Sequence, residues 1–122
     1  MNPLGRHLLL EIWEGDPLLL NDPARVERAL REAALATNST LIDLQVHAFP
    51  HMGVTGLALL AESHISIHTW PEKGYAAVDV FTCGRRASPE AAVGVMEAIF
   101  TPGRTETMLL ERGVPLTTRV AG

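Results

Sequence analysis

Two runs of strict alternation, HISIHTW at 64–70 and YAAVDVFT at 75–82, enclose the turn-forming PEKG. Period-two alternation belongs to strands with one buried face, and a Pro early and a Gly late in a four-residue link suit a hairpin. Pairing Trp70 with Tyr75 sets the register of the whole hairpin. Ile65, Ile67, Ala76, Val78 and Val80 then share one face, an apolar set that must point into a core. His64, Ser66, His68, Trp70, Tyr75, Asp79, Phe81 and Cys83 share the other. A half-buried strand pair leaves one polar face to solvent. Here that face carries His, Ser, Asp, Cys and aromatics in place of plain Lys, Glu and Thr, which points to function.

The same register limits which side chains can meet. Cys83 falls opposite Glu62, beside Ser63. His68 stands five residues from Ser63, which is about 16 Å along a straight strand and on the opposite face. Ser63 and Cys83 can therefore meet within one chain. His68 reaches a Ser63 only if the strand bends sharply at 62–64, or if it serves a second copy.

Around the hairpin, GRHLLLEIW (5–13) reads as an apolar strand, and TLIDLQVHAF (40–49) and VTGLALLAE (54–62) as two more, divided by the turn-like PHMG. NDPARVERALREAALATN (21–38) is the clearest helix: Asp22 caps it, Pro23 takes its first position, and Val26, Ala29, Leu30, Ala33 and Ala34 make one face. A second helix is expected from Ser88 to about Phe100, and a last strand over TETMLLE (105–111). The tail RGVPLTTRVAG is weakly patterned and is expected to be partly disordered. With no repeat and no linker, 1–122 reads as a single α+β domain. Its architecture is a two-layer sandwich, an antiparallel sheet with two helices on one face.

Composition narrows the function. A formal charge of −4, with nine arginines scattered and one lysine, argues against nucleic acid and against an anionic membrane as partner. No apolar stretch approaches a membrane span and the start lacks a signal-peptide design, so the expected location is cytoplasmic. One cysteine forms no internal disulfide and suits a reducing compartment.

Several chemistries fit the polar face poorly. His64 and His68 have the i, i+4 spacing of a helical zinc pair, but on a strand they stand about 13 Å apart, so no metal is expected. A thiol hydrolase needs a histidine at Cys83, and His68 is distant. Pyridoxal phosphate needs a lysine, and Lys73 lies in the exposed turn. A serine following another residue's carbonyl has a further option. Its hydroxyl can attack that carbonyl and turn the Glu62–Ser63 amide into an ester. Elimination and hydrolysis then leave a pyruvoyl group, a carbonyl cofactor made without lysine.

LLAESHISIHTWPEKGYAAVDVFTCG resembles the self-cleaving junction of the bacterial S-adenosylmethionine decarboxylase proenzymes. LGRHLLLEIWEGD, HAFPHMGVTG and, loosely, ERG at 111–113 extend the resemblance, which is good over about residues 4–84. It implies a protomer that pairs into a larger sandwich, a homodimer with shared active sites, and decarboxylation of S-adenosylmethionine for spermidine synthesis. It implies cleavage between Glu62 and Ser63 into a β chain, 1–62, and an α chain, 63–122, with Ser63 becoming the pyruvoyl group. His68 would take the Ser63 α-proton during processing, and Cys83 would protonate the substrate's α-carbon after carbon dioxide leaves. A hydroxyl at position 55 would hold the attacked carbonyl. The family usually has Ser there, and the extra methyl of Thr55 restricts its rotamer and predicts slower processing.

For the substrate, the resemblance implies an adenine between two rings, Trp13 and Phe49, and a ribose held by Glu72, with Glu14 a second polar contact. Arginine or ornithine decarboxylation on the same scaffold, and an unprocessed non-catalytic paralogue, are the alternatives. His7 and His64 are candidates for supporting the site, and His47 and His51 for the sheet edge or the turn. Asp79 is compatible with orienting the site or with plain solvation.

Overall fold

The first two helices begin where a carboxylate caps them. In a computed structural model that describes residues 2–116, Asp22 accepts a hydrogen bond from the Ala24 amide, Pro23 follows, and the helix runs Pro23–Ala36. It stops at Thr37, whose hydroxyl donates to the Ala33 carbonyl, and Asn38 then turns left-handed at φ 59°, as a residue just past a helix often does. A short helix the sequence did not announce, Pro17–Leu20, is capped in the same way by Asp16. Its four residues are too few to show periodicity. In chain order these are α1 (Pro17–Leu20) and α2 (Pro23–Ala36).

The strands are β1 (Gly5–Trp13), β2 (Leu41–Ala48), β3 (Val54–Leu60), β4 (Ser63–Trp70), β5 (Tyr75–Cys83) and β6 (Arg104–Arg112). All pair antiparallel, in the order β2-β3-β4-β5-β1-β6. The hairpin register is the expected one, with Trp70 opposite Tyr75 and Ser63 opposite Thr82. PEKG is a 3-10 turn over Pro71–Lys73 closed by Gly74 at φ 61°. The third helix, α3 (Ala91–Phe100), starts three residues later than expected, because Ser88–Glu90 form tighter i→i+3 turns. The sheet and its single helical layer agree with the expected α+β sandwich, with three helices in place of two. Much of the expectation for the tail falls on 117–122, outside the described residues.

One face of the sheet, carrying Leu8, Leu10, Ile12, Ile65, Ile67, Ala76, Val78 and Val80, packs on α2 and α3 and is fully buried with them. Gly56 on β3 makes this close approach possible. A β-carbon there would lie 2.7 Å from Leu30 Cδ1 and 2.9 Å from Val26 Cγ1. Gly56→Val is expected to cost about 2 kcal/mol by overpacking, seen as a lower midpoint in urea denaturation. No helix of the described residues is long and apolar enough to cross a membrane.

Candidate active site

The other face of the sheet has no helix over it, and period-two alternation lays its side chains out in rows. One row runs His47, Thr55, His68, Ala77, Glu11, Glu106 across β2, β3, β4, β5, β1 and β6. A parallel row nearer the start of β4 runs Leu59, His64, Phe81, His7, Leu110. Beyond it lie Glu62, Ser63, Cys83 and Gly5, at the end of the strands.

At that end the backbone is unusual. Ser63 has φ 148°, in a region essentially reserved for glycine and costing a side-chain-bearing residue about 1–3 kcal/mol. The carbonyl before it, that of Glu62, accepts two hydrogen bonds from Cys83, one from the amide at 2.9 Å and one from the thiol at 2.9 Å. The Glu62 carboxylate is tied separately to the Thr40 amide at 2.8 Å. Ser63 Oγ lies 3.2 Å from His64 Nδ1, and the His64 ring stacks on Phe81. A groove lined by Pro3, Leu4, Gly5, Arg6, Gly84 and Arg85 opens beside Cys83.

Thr55 and His68 form a second cluster. They are directly opposed on β3 and β4, with Thr55 Oγ1 3.1 Å from His68 Nδ1. Ser63 is opposite Leu60, so both stand about 16 Å from it along their strands. Ser63, Cys83 and Glu62 are thus brought together, and Thr55 and His68 are brought together, but one chain does not unite the two groups. Within the chain, the Glu62 carbonyl is held by Cys83.

Phe49, half exposed beyond β2, packs edge-on against His47. Glu72 is exposed in the 3-10 turn after β4. Both lie at the Thr55–His68 end. Trp13 is at the same end on β1, four strand spacings from β2, or about 19 Å. Within one chain, the two rings expected to sandwich an adenine therefore stand apart. Trp13 packs on Tyr75 at 4.6 Å, donates from Nε1 to Glu106 at 2.6 Å, and lies beneath the Arg104 guanidinium. Glu14, on the same side, takes φ 55° and accepts the Gly103 amide.

Two contacts escaped the sequence. The Ser63–His64 contact had adjacency as its signal. His7 Nε2 lies 3.0 Å from Asp79 Oδ1, which gives Asp79 a partner; this needed the pairing of β1 with β5, a long-range fact with no local trace. His47 lies on the edge strand β2 and His51 in the turn after it, as expected. Among the described residues no three His, Cys, Asp or Glu gather in a metal-holding group.

Tyr75 donates to Glu11 at 2.6 Å. Burial, that hydrogen bond and the negative charges of Glu11 and Asp79 push its hydroxyl up from 10.0 to about 12. The unfolded chain then ionises first as pH rises, so this residue's contribution is intact below about pH 10 and is lost between about 10 and 12. Denaturation followed at both ends of that window should show a loss in the parent that is smaller in Tyr75→Phe.

Comparison with known proteins fits this geometry. The family described as S-adenosylmethionine decarboxylase matches residues 6–113. The S-adenosylmethionine decarboxylase proenzyme of Thermomicrobium roseum is 52% identical over 93% of this chain and 97% of its own. That of Methanococcus maripaludis strain S2 is 47% identical, covering 93% of each. The crystal structure of the adenosylmethionine decarboxylase of Aquifex aeolicus superposes with a TM-score of 0.86 at 34% identity, covering 98% of both chains. A Trypanosoma brucei AdoMetDC monomer shares the fold at a TM-score of 0.63 and 14% identity, with 45% of its length matched. With residues 6–113 of its 122 matched by the family and relatives this similar, the chain belongs to the S-adenosylmethionine decarboxylase family.

Proposed function

We propose that this chain is a proenzyme that cuts itself between Glu62 and Ser63 and then, as a cytoplasmic enzyme, decarboxylates S-adenosylmethionine. The observation that carries the reading is the state of the Glu62–Ser63 bond: a serine at φ 148° follows a carbonyl gripped by two donors. Ser63 Oγ adds to the Glu62 carbonyl carbon and the amide nitrogen leaves, giving an ester. The Cys83 amide and thiol then sit where the oxyanion develops. A base removes the Ser63 α-proton, the Glu62 carboxylate departs, and hydrolysis of the remaining dehydroalanine releases ammonia and leaves a pyruvoyl group at position 63. That group supplies a carbonyl that captures the substrate's amine and draws electrons as carbon dioxide leaves. Cys83 gives its thiol proton to the substrate's α-carbon.

The base in this scheme is His68 of a partner chain, with Thr55, Phe49 and Glu72 arriving beside it. A two-fold axis running across the strands, near the row of Ser66 and Asp79, turns one copy end for end. It lays the Thr55–His68 end of each sheet over the Ser63 end of the other. An axis along the strands would put like ends together and complete no site. Leu57, Leu59 and Trp70, exposed on the helix-free face, favour a second sheet as the cover.

Cys83→Ala removes one of the two donors to the Glu62 carbonyl. Its self-cleavage is expected to slow by about a hundredfold, read from the decay of the uncut band. The activity itself is tested by carbon dioxide release from carboxyl-labelled S-adenosylmethionine, arginine and ornithine. Release from the first alone is expected, and release from either amino acid instead would contradict the proposed substrate.

A further inference from the structure

The mechanism leaves His7 unused, yet its surroundings are specific. It stands on β1 opposite Phe81, so its diagonal neighbours on β5 are Asp79 and Cys83. Diagonal neighbours on one face of an antiparallel pair lie about 7–8 Å apart at the backbone, within reach of a long or aromatic side chain. On one diagonal the contact is made, with Nε2 3.0 Å from Asp79 Oδ1. Phe81, edge-on at 5.4 Å, supports the ring from the side. On the other diagonal, the residue directly across from Cys83 is Gly5, which adds no side chain. A β-carbon there would meet the Phe81 ring at 3.3 Å and the Thr82 carbonyl at 3.0 Å. His64, the other nearby imidazole, turns Nδ1 toward Ser63 Oγ.

Carboxylate, imidazole and thiol thus follow one another along one face of the sheet. In such an order the carboxylate fixes the tautomer and orientation of the ring and supports its charge while the ring passes a proton. We propose that His7, positioned by Asp79, is the relay that returns a proton to Cys83 between turnovers. The proposal rests on the function above in one respect, the role of Cys83 as the acid. When the thiol gives its proton to the α-carbon it becomes a thiolate. His7 as imidazolium protonates that sulfur, is left neutral, and takes its next proton from water. One proton is consumed per turnover, the number that conversion of R–COO⁻ to R–H and carbon dioxide requires.

The test has one arm without turnover and one with it. Cys83 is the sole thiol, so iodoacetamide uptake by the uncut Ser63→Ala chain, read by intact mass, reports how readily that thiol passes its proton to a neighbouring base. Adding His7→Gln, which cannot carry a proton, is expected to slow that uptake about tenfold at neutral pH. Asp79→Asn, which keeps the imidazole and removes its support, is expected to slow it less. In the cleaved enzyme, His7→Gln is expected to complete its first turnover within about twofold of the parent rate. Later turnovers should slow at least about tenfold, and added imidazole should restore them. Alkylation independent of His7, or a steady-state loss that imidazole does not rescue, overturns the relay. An uncut parent with His7-dependent alkylation would remove the proposed activity and keep the proton path. A cleaved and active parent with His7-independent alkylation would remove the path and keep the activity.

Discussion

Ser63→Ala is expected to remain one uncut chain of 13.2 kDa indefinitely and to release no carbon dioxide. The loss is complete because the same side chain is nucleophile and cofactor precursor. Without its hydroxyl the Glu62 carbonyl has no attacker, and no carbonyl forms at position 63. Folding should survive, since Ser63 sits at the strand end and its hydroxyl makes a hydrogen-bond contact with the adjacent His64. Ser63→Gly makes the companion prediction. Glycine takes φ 148° without penalty, so this variant should be equally uncut and more stable than an uncut Ser63→Ala chain by about 1 kcal/mol. Paired urea denaturation curves measure that difference. Equal stability would mean that the backbone at 63 is not strained.

The second large effect comes from mixing two inactive chains. His68→Ala keeps the serine and loses the base; Ser63→Ala keeps the base and loses the serine. Each alone is expected to stay uncut. Mixed dimers should cut the chain that retains Ser63, because Thr55 and His68 stand about 16 Å from the Ser63 of their own chain and meet a Ser63 only on another. With random pairing about half the dimers are mixed, and each holds one competent junction. Cleavage of up to about half of the His68→Ala chains is therefore expected. Mixed dimers that form without any cleavage would place the base in its own chain.

The hairpin explains why so much was legible in advance. Its alternation is local, and Pro71 and Gly74 mark the turn, so the register, the core face of Ile65, Ile67, Val78 and Val80, and the meeting of Cys83 with Glu62 all followed from counting. Asp22 and Pro23 likewise announced α2 from its first turn. What stayed hidden depended on strand order. β1 inserts between β5 and β6, and nothing in residues 5–13 alone says so; hence His7 and Asp79 were not seen as a pair. The same fact separates Trp13 from Phe49 within one chain. The conformation of Ser63 was invisible for another reason. A strained φ is imposed by the donors around it and leaves no mark on composition.

The most direct test is the intact mass of the parent protein after purification and ageing. Two fragments are expected, residues 1–62 ending in a free Glu62 carboxylate and residues 63–122 beginning with a pyruvoyl group in place of Ser63. A single uncut chain of 13.2 kDa, with no carbonyl at position 63, would contradict the account.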